Sequence, residues 1–241
     1  MKITNAVAVV TGANRGIGAS LVRELTARGA GRVYASARHP GSLPKMRAPH
    51  QDIVVPLALD VTDPAQVAAA ADTASDVTLL INNAGILTRG GALDADPADI
   101  ERELAVNFLG MLRTTRAFVP LIEKNGGGAV VNLLSVLAFA PMPSAAAYSA
   151  AKAAADSATR SLRAQLSARN ITVHGVYPAF VDTDMTVGID AEKADPADVA
   201  KAILDAVEQG TSNVLPDPVA ISLWQAWNAD PRGLDQLFAG G

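Results

Sequence analysis

Residues 6–18 read Ala6-Val7-Ala8-Val9-Val10-Thr11-Gly12-Ala13-Asn14-Arg15-Gly16-Ile17-Gly18. The first five are apolar without alternation, the pattern of a strand buried on both faces. Three glycines come next in quick succession, and then an amphipathic segment, 17–28, that closes at Gly29. Glycines at such a turn let the backbone come close to a pyrophosphate, whose charge is stabilised at the positive end of the following helix. A glycine-rich turn alone is an ordinary way to join strand and helix. Its place between a buried strand and an amphipathic helix near the N-terminus marks it as a phosphate-binding turn.

The same strand–helix alternation continues outward. Strands are expected at 32–36, 53–59, 77–81, 129–134 and 171–177, with a short last one at Val214-Leu215. Asp63-Pro64 and Asp195-Pro196 each begin a helix, with the aspartate as N-cap and proline in the first turn. Two helices fill the stretch ending near Glu123, and Ser144 is expected to cap a long alanine-rich helix reaching Arg169. Such alternation predicts an α/β fold, a doubly wound parallel sheet of about seven strands with helices on both faces. No internal repeat or linker-like stretch divides it, so residues 1–241 are expected to form one domain.

Composition agrees. Of 241 residues 49% are hydrophobic and 18% charged, enough for one large core, and the net charge of −4 comes without a basic block. Neither nucleic acid nor a membrane is therefore an expected partner. The absence of cysteine excludes disulfides, zinc thiolate sites and cysteine nucleophiles, and suits the cytoplasm. His39, His50 and His174 are scattered, so no metal site is expected.

Tyr148 and Lys152 stand four apart in the alanine-rich helix, on one face. A phenol titrates near pH 10, and a neighbouring ammonium brings it toward working range. Spacing alone would suit any exposed helical pair. Ser135 changes the reading: it ends the strand at 129–134, thirteen residues before Tyr148, where ligands of parallel sheets bind. Its hydroxyl can hydrogen-bond a carbonyl oxygen as charge grows there.

Taken together, Gly12-x3-Gly16-x-Gly18 and Ser135…Tyr148-x3-Lys152 resemble the short-chain dehydrogenase/reductase family, in its single-domain branch with TGxxxGxG and YxxxK motifs. Asn82-Asn83-Ala84-Gly85 matches the family's NNAG motif, and Asn107 its helix asparagine. Asp60 and Val61 fall at the adenine position. Pro178-Ala179-Phe180-Val181-Asp182-Thr183 is similar to the segment around the nicotinamide carboxamide, with Ala179 for the usual glycine. The resemblance spans residues 5–210.

It implies that Tyr148 is the acid/base, Ser135 orients the substrate, Lys152 holds the nicotinamide ribose and tunes Tyr148, and Asn107 supports a water relay. Cofactor contacts are implied for Gly12, Asn14, Arg15, Gly16, Ile17, Gly18, Arg38, Asp60, Val61, Asn83, Ala84, Gly85, Tyr148, Lys152, Pro178, Val181 and Thr183. No acid stands near the end of the second strand to bind a ribose 2′-hydroxyl; Arg38 and Arg15 suit a 2′-phosphate instead. NADP(H) is therefore expected to be preferred, with NAD(H) possible, and reduction of a ketone or aldehyde to the alcohol as the cellular direction.

The family's geometry implies pocket walls from Leu87, Val136, Leu137, Met142, Phe180, Met185 and Val187, all apolar, which favours a neutral or hydrophobic carbonyl substrate. Leu223-Trp224-Gln225-Ala226-Trp227 covers the substrate entrance, covers a neighbouring subunit, or fills core. The small residues of the Tyr148 helix and the family pattern favour a homodimer or homotetramer. The chief rival is a catalytically silent NADP(H)-sensing regulator on the same fold, which would have no reason to keep Ser135, Asn107, Tyr148 and Lys152 together. An extended-branch epimerase would need a larger C-terminal domain, and a methyltransferase leaves Tyr148 and Lys152 unexplained.

Overall fold

The computed structural model describes residues 1–44, 52–231, 233 and 234; His50 lies outside them. Seven parallel strands form one sheet: β1 Val7–Val10, β2 Arg32–Ala37, β3 Val54–Ala58, β4 Leu79–Asn82, β5 Gly128–Leu133, β6 Ile171–Val176 and β7 Asn213–Val214. Their order across the sheet is β3-β2-β1-β4-β5-β6-β7. The chain reverses direction across the sheet between β1 and β4, and a crevice opens there beyond the strand ends. The Rossmann-type fold expected from the alternation is the one observed.

Successive strand residues point to opposite faces, and here both faces are apolar. Ala8 and Val10 of β1 pack with Leu21 and Leu25 of helix α1, Gly16–Ala27, and with Ile203 and Val207 of α6, Pro196–Gln209. Val9 turns to the other face, to the layer containing Phe118 and Ile122 of α4, Met111–Lys124, and Leu166 of α5, Ala146–Leu166. Helices α2, Pro64–Thr73, and α3, Pro97–Glu103, complete that side, and α7, Pro218–Ala229, lies over the end of β6. Among the described residues no helix is long and apolar enough to cross a membrane.

Asp63 and Asp195 cap α2 and α6 as expected, accepting from Ala65 N–H at 2.8 Å and Ala197 N–H at 2.7 Å. Asp217 repeats the device before Pro218 but is buried. One carboxylate oxygen caps α7 through Ala220 N–H at 2.8 Å, and the other accepts from Ala179 N–H at 3.0 Å. Asp217→Ala should leave both amides unpaired and lower stability by about 2 kcal/mol, read as a lower denaturation midpoint at unchanged slope. An unchanged midpoint would show that this bridge is incidental.

Ser144 does not cap α5. The chain there turns, with Ala145 N–H donating to Met142 O at 3.0 Å, and is pinned against Gly90, whose N–H donates to Ser144 O at 2.9 Å while Gly90 O accepts from Ala146 N–H at 3.2 Å. The helix therefore starts at Ala146, with Ala145 in the capping position and no side-chain cap. At the other end α5 tightens at Ser167–Arg169 into a 3₁₀ turn. Between α3 and α4, residues Leu104–Gly110 form a wider π turn carrying Asn107.

Candidate active site

The residues just beyond β4 hold the glycine turn open. Asn83 Nδ2 donates to Thr11 O at 2.8 Å and Gly12 O at 3.0 Å. Thr11 Oγ1 in return accepts from Asn83 N–H and Ala84 N–H, each at 2.9 Å. A Cβ on Gly12, whose φ is +65°, would lie 2.9 Å from Ala84 Cα. Arg15 sits at the N-cap of α1 without a side-chain cap of its own, so the first amides of α1 meet no protein acceptor from that side chain. Thr11 belongs to this cradle, and its Thr-Gly sequence is the signal for it.

A cleft of about 830 Å³ runs along the carboxyl ends of the strands. Gly12, Asn14, Arg15, Gly16, Ile17 and Gly18 line it from the first turn, and Arg38 from the end of β2. Asp60 and Val61 line it after β3, and Asn83, Ala84 and Gly85 after β4. Pro178, Val181 and Thr183 close it after β6, and Ser135, Tyr148 and Lys152 stand at its inner end. The volume, the uncapped helix start and the glycine-rich turn fit a dinucleotide. Ala179 takes the glycine position without a left-handed backbone.

Within the site Tyr148 and Lys152 are buried, 8% and 4% exposed. Lys152 Nζ donates to Leu133 O at 2.6 Å and lies 5.4 Å from the centre of the Tyr148 ring. Burial lowers the ammonium to about 8, against an upward pull from Glu103. Burial also pushes the Tyr148 phenol well above its ordinary value; Glu103 adds to this and Ser135 opposes it. Burial and Glu103, not Lys152, set the direction of the phenol's shift in this arrangement. Ser135 Oγ accepts from Leu137 N–H at 3.1 Å.

Asn107 is buried beneath the cleft rather than lining it. Its Oδ1 accepts from Ile86 N–H at 3.0 Å and its Nδ2 donates to Ile86 O at 2.9 Å. It thereby fixes the strand extension that carries Gly85. Sequence reasoning missed Glu103, fully buried one helical turn earlier. It also missed the cross-braces of the sheet. Asn82 Nδ2 donates to Asn132 Oδ1 at 2.8 Å and to Thr115 Oγ1 at 3.0 Å, and Asn132 Nδ2 to Thr159 Oγ1 at 2.9 Å. Asn82 and Asn132 were visible as amides inside apolar strands, where burial demands partners.

Of the expected pocket walls, Leu87 and Met185 line the cleft. Val136, Leu137, Met142, Phe180 and Val187 do not. Val136 and Leu137 form a 3₁₀ turn that buries them. Leu137 and Met142 border a separate shallow hollow beside α5, Phe180 is half-buried, and Val187 is 70% exposed. Trp224 packs edge-on to Phe139, ring centres 5.2 Å apart, and within 5.5 Å of Tyr177 and Trp227. The aromatic helix thus packs on its own chain behind the turn after Ser135.

Arg15 has an ion-pair partner of its own. Its Nη1 reaches across to Asp184 Oδ2 at 2.8 Å, an exposed pair. Such a pair is worth about 1 kcal/mol or less, so a bound phosphate can take the guanidinium over. Asp184→Asn should lower KM for NADPH a few-fold and leave KM for NADH unchanged. An equal change for both coenzymes would show that Asp184 acts on the shared part of the site.

A parallel sheet with a glycine turn, and a Ser–Tyr–Lys set at one strand end, defines an oxidoreductase scaffold, and the family profile for short chain dehydrogenase matches residues 6–194. The chain belongs to the short-chain dehydrogenase/reductase family. It is 36% identical over 204 residues to trans-4-hydroxycyclohexanecarboxylate dehydrogenase of Sinomonas cyclohexanicum, covering 78% of this chain and 77% of that one. An uncharacterized oxidoreductase of Staphylococcus saprophyticus is 30% identical over 87% of this chain and 94% of its own. A short chain dehydrogenase from Burkholderia cenocepacia, crystallised with NADP, superposes with a TM-score of 0.93 at 39% identity, over 99% of both chains. One from Burkholderia phymatum, crystallised with NAD, has a TM-score of 0.85 at 24% identity over 95% of each and shares the fold.

Proposed function

We propose that this protein is an NADPH-dependent reductase of a neutral or hydrophobic ketone or aldehyde, with cofactor and substrate sites in one domain. One observation carries the reading: Ser135, Tyr148 and Lys152 converge at the end of β5, in the same cleft as the glycine turn. Bound NADPH would supply the hydride and its two electrons to the carbonyl carbon. Tyr148 Oη gives its proton to the carbonyl oxygen, which completes the alcohol. Ser135 Oγ holds that oxygen in place. Lys152 Nζ holds the nicotinamide ribose and stabilises the phenolate left on Tyr148 until solvent returns a proton. Arg38, exposed at the end of β2, together with Arg15 would hold the 2′-phosphate; the NADP complex of the 39% identical relative supports this choice.

The test is oxidation of NADPH and NADH against a panel of ketones and aldehydes. Turnover with a higher kcat/KM for NADPH supports the proposal. A higher value for NADH overturns the cofactor preference, and no consumption with any carbonyl favours a silent sensor. Two or four copies would assemble through the exposed alanines of α5, Ala150 and Ala153, which sedimentation velocity can check.

A further inference from the structure

Glu103 is the one buried acid of α3, and carbonyl reduction by Tyr148 and Lys152 makes no direct use of it. It ends α3 with no exposed surface, and each of its side-chain hydrogen-bond partners turns a donor toward it. Oε1 accepts from Thr88 N–H in a very short contact and from Thr88 Oγ1 at 2.6 Å. Oε2 faces Asn107 Nδ2 at 3.5 Å. The orientation of that amide is set by its two bonds to the backbone of Ile86, so its nitrogen, not its oxygen, meets the acid. Burial pushes the Glu103 carboxyl up, and the Thr88 bonds and Lys152 oppose it; a carboxylate accepts from all of these donors, whereas a protonated Glu103 would have to turn the Thr88 hydroxyl from donor to acceptor.

The counter-charge stands close by. A Cβ placed on Gly85 would lie 3.0 Å from Asn107 Oδ1 and 3.9 Å from Lys152 Nζ. Gly85 thus borders both the Asn107 amide and the ammonium. Of the charged groups around Glu103, α5 brings Lys152, with Tyr148 beside it, and α3 brings Asp99, which is bonded to the exposed Arg102 at 2.8 Å. The loop after β4 brings the uncharged Thr88.

We propose that Glu103 is a positioning residue for the Tyr148–Lys152 pair: an ionised, buried counter-charge that keeps Lys152 in its ammonium form while clamping Thr88 and Leu87 at the cleft wall. Its two duties are separable. The negative charge favours the protonated forms of both Lys152 and Tyr148, the forms needed to reduce a carbonyl. The paired Thr88 bonds fix the backbone at the cleft wall independently of charge.

Glu103→Gln keeps an acceptor for Thr88 and removes the charge; Thr88→Val keeps the charge and removes a donor. In the coenzyme-free protein, the ¹³Cε resonance of Lys152 should titrate near pH 8 in wild type and about one pH unit lower in Glu103→Gln. Thr88→Val should leave that midpoint in place while lowering kcat/KM. The kinetic arm rests on the proposed reductase reading. There the alkaline fall of kcat/KM for reduction moves to lower pH in Glu103→Gln, and the rise of alcohol oxidation moves with it. Inactive protein with a displaced Lys152 midpoint would overturn the reductase reading and leave this one standing.

Superimposable Lys152 titrations in wild type and Glu103→Gln overturn it, as does an equal displacement by Thr88→Val. Should Glu103→Gln fail to fold, the ¹³Cδ resonance of Glu103 in wild type decides: an ionised carboxyl at pH 7 supports the inference and a protonated one ends it.

Discussion

Tyr148→Phe should lower kcat for carbonyl reduction by about 10²–10⁴-fold while leaving NADPH affinity nearly unchanged. The ring is buried in one apolar cluster with Leu134, Ala145 and Tyr177, and phenylalanine preserves all of that packing. Lys152 retains both the ring face at 5.4 Å and the Leu133 carbonyl at 2.6 Å. The loss is confined to one acidic proton, and the surrounding burial leaves water poorly placed to replace it. The upward shift of the phenol, caused first by burial and then by Glu103, means that the proton is present at neutral pH. Stopped-flow absorbance of NADPH gives the rate, and fluorescence titration the affinity. Equal rates for the two proteins would end the assignment of Tyr148 as proton donor.

The second large effect is expected at Gly18. A Cβ there would lie 2.2 Å from Gly12 O, 2.5 Å from Asn83 Nδ2 and 3.0 Å from Ala13 Cα. Two of these atoms are backbone and the third is bonded to Thr11 O and Gly12 O, so no flexible side-chain end can move aside. Gly18→Ala must separate α1 from the β1 turn or break the Asn83 staple, at about 1–3 kcal/mol. Because both supports shape the phosphate cradle, nucleotide affinity should fall by about 10–100-fold, with a lower melting temperature. Gly41→Ala is the control: its Cβ meets nothing within 4 Å, and it should bind and melt as wild type does. Wild-type affinity in Gly18→Ala would show that the turn has room the structure denies.

These two sites differ in how plainly the sequence announces them. The glycine turn, the Asp-Pro helix starts and the apolar strands are local, and local rules read them. Ser144 fails as a cap because its neighbourhood is decided by Gly90, far off in sequence. Arg15 likewise has a partner, Asp184, 169 positions away. Val136 and Leu137 lie outside the cleft lining because a single 3₁₀ turn there buries Val136 and brings Leu137 to the hollow beside α5. Glu103 is hidden differently. Glu101-Arg102-Glu103 is a run of charged residues, and Glu101 and Arg102 are exposed. Nothing in the residue types says that the third member turns inward toward Thr88.

The π turn at Leu104–Gly110 has a consequence for how this chain tolerates insertions and deletions. A π turn holds one residue more than an α-helical turn of the same pitch. Removing one residue between 104 and 110 would let α3 and α4 fuse into a single regular helix, with better hydrogen-bond geometry. The same deletion would rotate everything upstream by about 100° relative to α4, swinging Glu103 away from Thr88. The irregular turn is therefore a phase adjuster. It lets one face of α4 follow the sheet while the preceding turn keeps its own, separate alignment with the cleft.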